Sequence, residues 1–165
     1  MKHICGPNSK STLTNVQEGD VQPNAVDLRL GQVFIITDEI FEVSNEHKKH
    51  RGGGYELKPD HQGYYYLNPG RYEVVMENII HVGDGEAGFV ITRSTLNRNG
   101  LYITSGLYDS GYHGVMAGVL HVTGGPARIK QGTRIGQYLS FNAEALHAYD
   151  GDYGINKNHD KKYGV

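Results

Sequence analysis

Apolar residues in this chain fall in short runs of Val, Ile, Leu and Tyr, divided by Gly, Asn, Asp and Pro. No stretch keeps an apolar period of 3.6 over three turns, so long amphipathic helices are not expected. Runs of this kind between turn residues are the pattern of a β-sandwich or barrel. The pattern predicts strands at Val26–Leu30, Val33–Ile36, Tyr64–Leu67, Tyr72–Ile80, Ala87–Thr92, Tyr102–Ser105, Val115–His121, Ala127–Ile129 and Arg134–Phe141. Turn signals lie between them: Asn68-Pro69-Gly70, Gly83-Asp84-Gly85, Asn99-Gly100, Asp109-Ser110-Gly111 and Gly124-Gly125-Pro126. Only Ser94–Arg98 reads as a helical turn. The expected fold is all-β, a distorted barrel of jelly-roll-like character.

Three segments break the pattern. Residues 1–20 are polar and read as a loosely packed lead-in. Residues 46–54, E-H-K-K-H-R-G-G-G, read as a mobile inserted loop. Residues 149–165, rich in Tyr, Gly, Asp, Asn and Lys, read as a flexible C-terminal arm. No repeat of 20–50 residues divides the chain, and its 165 residues suit one domain spanning 1–165.

Composition narrows the function. With 16 basic and 18 acidic residues, the chain lacks the basic surplus of a nucleic-acid binder. The longest apolar runs, such as Val33–Ile36, are too short to span a bilayer. The start, Met1-Lys2-His3-Ile4-Cys5, has no apolar run behind its charge, and Cys5 is the single cysteine, with no partner for an internal disulfide. A cytoplasmic protein, with neither nucleic acid nor membrane as partner, is expected. Hydrophobic residues make up only 38%, so the 12 Tyr must supply much of the packing surface.

Four segments carry candidate chemistry. In Arg93-Ser94-Thr95, a strand delivers a guanidinium and two hydroxyls into a helix start, which suits an anion. The same residues also suit an ordinary cap with a surface ion pair. Gly106-Leu107-Tyr108-Asp109-Ser110-Gly111-Tyr112 is a hairpin that could hold a flat ring, with Asp109 orienting a water. Asp is equally at home in any β-turn. Gln137, in Gln131-Gly132-Thr133-Arg134-Ile135-Gly136-Gln137, is placed to reach a phosphate. Asp27 sits inside an apolar strand, where an acid is costly unless it is paired or bound through water to a cation.

In order and spacing, VQPNAVDLRLG (21–31), LNPG (67–70), RSTLNRNGL (93–101), GLYDSGYHG (106–114) and QGTRIGQYLSF (131–141) resemble the conserved segments of the dCTP deaminase/dUTPase superfamily. The resemblance implies a β-clip fold, a homotrimer with sites between subunits, and Mg2+-assisted attack of water on the α-phosphate of dUTP. It makes Asp109 the water-activating catalytic residue, with Gly106 and Tyr108 in the hairpin that reads the base and Tyr112 against the deoxyribose. Arg93, Ser94, Thr95 and Gln137 would hold phosphates, Tyr153 of the arm would cover the base, and Asp27 would fix a metal-bound water or an adjacent arginine. Lys157, Lys161 or Lys162 would stand in for the arm's usual arginine. The spelling is that of the deaminase branch, yet the position of that branch's glutamate, ten residues after Asp109, is Val119, which cannot shuttle a proton. Deamination is therefore not expected. The alternatives are a related diphosphatase for dCTP or a modified pyrimidine, and a catalytically weak dUTP-binding regulator. His47 and His50 read as solvated loop residues, Tyr64-Tyr65-Tyr66 as a strand, and Arg98 has no assigned task.

Overall fold

The computed structural model describes residues 1–49, 51 and 54–165, so His50 of the 46–54 loop lies outside the described residues. The chain forms β1 (Thr12–Leu13), β2 (Val26–Ile35), β3 (Glu42–Val43), β4 (Lys48–Lys49), β5 (Glu56–Leu57), β6 (Tyr64–Leu67), β7 (Gly70–His81), β8 (Glu86–Thr92), β9 (Leu101–Thr104), β10 (His113–Val122), β11 (Ala127–Lys130) and β12 (Arg134–Asn142). A four-residue helix, α1 (Ser94–Asn97), follows β8, and a short 3-10 turn covers His159–Tyr163. No helix among the described residues is long and apolar enough to cross a membrane.

The main sheet runs β8-β12-β2-β7-β10-β9, entirely antiparallel. Its two edges approach each other. The Ile103 N–H donates to Thr92 Oγ1 at 2.7 Å and the Val90 N–H to Ser105 Oγ at 3.1 Å. Beyond them Gly88 and Tyr108 exchange two backbone bonds of 3.0 and 2.8 Å. The sheet thereby becomes a nearly closed barrel.

The two strands expected at 26–30 and 33–36 are one strand, β2. Gly31, which reads as a break, is a bulge where the register shifts between Leu30 and Gln32. A Cβ there would stand 3.0 Å from the Val75 carbonyl, so a side chain would have to push the neighbouring backbone aside by a few tenths of an ångström.

Alternation sorts the sheet into two faces. Leu28, Leu30, Val74, Met116 and Leu120 point inward and are fully or almost fully buried, each worth about 1.5–3 kcal/mol of transfer free energy. Phe34, Val75 and Val115 point outward and form a second cluster with Tyr163. The tyrosine triplet obeys the same rule: Tyr65 is buried and Tyr66 exposed.

The lead-in departs from expectation. Ile4 joins the core and Ser11 is buried, because residues 2–11 wrap the buried Glu86 carboxylate, and Asp20 is buried against Arg29. The C-terminal segment, expected as a flexible arm, lies against its own barrel. The Ile155 N–H donates to the His113 carbonyl at 2.9 Å, and the Tyr163 ring meets Phe34 edge-on at 5.6 Å.

Candidate active site

β2 carries Asp27 opposite Gln137 of β12 in the strand register. Asp27 has no exposed surface, and three donors surround its carboxylate. Gln137 Nε2 donates to Oδ1 at 2.9 Å; Arg93 Nε and Arg134 Nη1 each stand 3.3 Å from Oδ2. Arg134 Nη1 also donates to the Gly19 carbonyl at 2.7 Å. One carboxylate thus faces two guanidiniums, which leaves a positive charge beside the α1 start, where anions are favoured. Ser94 and Thr95 open α1 with exposed side chains, and among the described residues no hydrogen bond engages their hydroxyls.

Of the two parts expected of Asp27, fixing a metal-bound water or an adjacent arginine, these contacts are of the second kind. A carboxylate without exposure and with both oxygens taken is an anchor for arginines. The described residues also contain no group of three or more His, Cys, Asp or Glu able to hold a metal. Beside the cluster, Asp20 is buried and grips Arg29 at 2.6 and 3.0 Å. Burial pushes its carboxyl up, but Arg29 and the Gln17 N–H outweigh that and hold it below the usual range. Neither Arg134 nor Asp20 was marked by the sequence pattern. Arg134 lies three residues before Gln137, on the opposite face by strict alternation, and the register shift between Arg134 and Gly136 turns both toward Asp27.

The hairpin between β9 and β10 is pinned at its root. Gly111 at φ +85° takes a conformation that side chains rarely adopt. Its N–H donates to the Val82 carbonyl, and the Val82 N–H donates to the Tyr112 carbonyl, each at 2.9 Å. The buried Ser110 hydroxyl donates to the Glu86 carbonyl at 2.6 Å. Asp109 projects outward: it is exposed, and its carboxylate has neither hydrogen bond nor ion pair among the described residues.

Behind the hairpin lies a cavity of about 650 Å³. Gly106, Tyr108 and Tyr112 line one side, Ala117 and Val119 the floor, and Tyr149 and Tyr153 of the C-terminal segment the other side. Tyr112 is 5% exposed and its hydroxyl donates to the Val115 carbonyl at 2.7 Å; that of Tyr108 donates to Ala117 at 3.2 Å. Burial raises both phenols, so they serve as protonated donors and packing surface. Tyr112 therefore offers a ring face to the cavity while its polar end is spent.

Two carboxylates line the cavity, Asp160, which accepts from the Gly154 N–H at 2.7 Å, and Glu73. Glu73 stands directly across the ladder from Val119, which puts both side chains on one face. Lys162 Nζ donates to it at 2.8 Å and the Tyr163 hydroxyl donates to its other oxygen. The sequence hid Glu73 inside a run that reads as a hydrophobic strand. Lys161 donates to Asn158 at 2.9 Å, so it is spent within the C-terminal turn. Val119 leaves the floor apolar, as the sequence indicated.

The sequence-selected residues therefore form two groups. Asp27, Arg93, Ser94, Thr95 and Gln137 gather where β2, β12 and β8 meet, and none of them lines the cavity. Gly106, Tyr108, Tyr112 and Tyr153 line the cavity, with Asp109 at its hairpin.

Comparison with known proteins places these features. The family model described as dCTP deaminase-like matches residues 7–142. A probable deoxyuridine 5'-triphosphate nucleotidohydrolase of Aeropyrum pernix is 30% identical over 138 residues, covering 82% of this chain and 85% of its own. A deoxyuridine 5'-triphosphate nucleotidohydrolase of Methanocaldococcus jannaschii is 29% identical over 153 residues, 91% of this chain and 97% of its own. Among solved structures, the 2'-deoxycytidine 5'-triphosphate deaminase of Agrobacterium tumefaciens superposes with a TM-score of 0.61 at 17% identity, over 84% of this chain and 45% of that one. At that identity the likeness speaks for the fold.

Proposed function

The chain belongs to the dCTP deaminase-like family, and within it we propose that it hydrolyses dUTP to dUMP and pyrophosphate. The observation that carries the reading is Asp109: a carboxylate with no partner among the described residues, on a pinned hairpin, beside a cavity roomy enough for a nucleoside. In this mechanism Asp109 takes a proton from a water as its oxygen attacks the α-phosphorus. The bond to the α–β bridging oxygen breaks, and its electron pair leaves with pyrophosphate. Arg93 and Arg134, aimed by Asp27, set positive charge against the phosphates, and the Ser94 and Thr95 hydroxyls donate to them. Gln137 completes the hold, and the base rests on the Gly106–Tyr108 backbone with Tyr112 beneath the sugar and Tyr153 over the ring. Mg2+, carried by the triphosphate, would neutralise phosphate charge.

The separation of the two groups supports a homotrimer. One copy's phosphate-holding group would complete the hairpin site of the next. Ile91, Tyr102 and Leu107, all exposed near the hairpin, offer an apolar contact for that purpose.

Product analysis by ion-exchange chromatography tests the assignment. dUMP and pyrophosphate should form from dUTP, with Asp109→Asn inactive yet still binding the nucleotide. Full turnover by Asp109→Asn would overturn the mechanism. A dUTP product from dCTP would show that deamination survives with Val119 in place.

A further inference from the structure

We propose that His81 and His113 form a two-imidazole site for a late first-row divalent cation, Zn2+, Ni2+ or Cu2+, at the root of the Asp109 hairpin. The two residues are direct partners in the β7–β10 ladder, so their side chains leave the sheet on one face at neighbouring positions. Their ring centroids lie 5.4 Å apart, with planes at 76°. Two imidazoles bound tetrahedrally to one Zn2+, at metal–nitrogen distances of about 2.0–2.1 Å, have centroids roughly 5 Å apart. The pair already has nearly the separation an ion would impose, and a turn of each ring brings nitrogen lone pairs to a common point.

Both rings are exposed, and among the described residues neither makes a hydrogen bond or ion pair. Three other histidines are engaged: His121 stacks on Tyr102 at 4.4 Å, His3 meets the Gln22 carbonyl at 2.8 Å and His159 meets Asp160 at 3.0 Å. Among the described residues no third His, Cys, Asp or Glu joins the pair, so water completes the shell. Imidazole favours these borderline cations over Mg2+ and Ca2+, which take oxygen ligands.

The location gives the site a consequence. His81 precedes Val82, whose two backbone bonds hold Gly111 and Tyr112, and His113 follows Tyr112. An ion bridging the pair ties β7 to β10 where the hairpin springs from the sheet, which stiffens the hairpin without touching Asp109.

The full chain, stripped with EDTA, should be titrated with ZnCl2, NiCl2 and CuSO4 by calorimetry. One site per chain is expected, at least about tenfold weaker in His81→Ala and in His113→Ala and unchanged in His121→Ala, with no such heat from MgCl2. A saturating ion, a hundredfold above Kd, should raise the melting midpoint by roughly 5 °C and slow exchange of the Gly111 amide. An affinity unaltered in both variants would overturn the proposal. So would paramagnetic Ni2+ broadening, in the unaltered protein, of ring protons other than those of His81 and His113; this readout needs no variant to fold.

Discussion

Asp27 and Asp109 bring the same carboxylate into opposite surroundings. Asp27 is wholly buried, and each of its oxygens is taken by an amide or guanidinium donor. Asp109 stands in solvent on a hairpin whose every neighbour is tied down while its own oxygens remain open. A buried acid with its lone pairs spent can aim other groups but cannot accept a proton from a water. An open acid on a rigid mount can accept one, and has nothing to aim. The difference separates positioning from proton transfer within one proposed reaction.

The sharpest break of this contrast is Asp109→Asn. Loss of a positioned general base should lower kcat by about 10²–10⁴-fold, measured as pyrophosphate release, with the urea midpoint unmoved. Asp27→Asn should do the reverse in kind. It leaves two arginines without their counter-charge at a cost of about 2 kcal/mol, discounted because both arginines are partly exposed. Urea unfolding checks the cost, and a KM raised about tenfold with a smaller change in kcat would mark the loss of aim.

Glu86 sharpens the contrast from the structural side. Burial alone would raise its carboxyl, but Lys2, Ser11 and the Lys10 N–H outweigh that and hold it at about 2. A carboxyl held below its unfolded value of about 4.5 gives stability that is whole above that pH and fades as pH falls toward about 2. Urea midpoints between pH 5.5 and 2.5, taken as roughly that range, should drop steeply in the native chain and more shallowly in Glu86→Gln. The smallest effect is expected from Glu73→Gln, where the partly exposed Lys162 pair is worth about 1 kcal/mol or less. Hydrogen exchange should find it as a faster Ile155 amide with little change in global stability.

The barrel was largely legible because a half-buried strand writes its alternation directly into the sequence. β7, β8, β10 and β12 lie where their patterns put them. Gly31 misled because a bulge and a strand end use the same residue. The lead-in misled because Ser11 and Lys10 look like loop residues until the Glu86 carboxylate they serve is placed beside them. In the candidate site, residue types such as Arg93 and Asp109 were readable, but their relations were not. That Asp27 meets Arg134 depends on β2 lying against β12, a register between segments more than 100 residues apart. Glu73 facing Val119 is a register fact of the same kind.

The seam between β8 and β9 gives the barrel a built-in order of opening. Elsewhere in the main sheet adjoining strands are joined by backbone ladders, some interrupted by a bulge, but here two hydroxyls, Thr92 and Ser105, and one bridge at Gly88 make the join. While shut, it leaves neither strand a bare rim on which a foreign chain could template. Under load it is the thinnest stitching in the wall, so the molecule should part there first, swinging α1 away from the hairpin before the core is wetted.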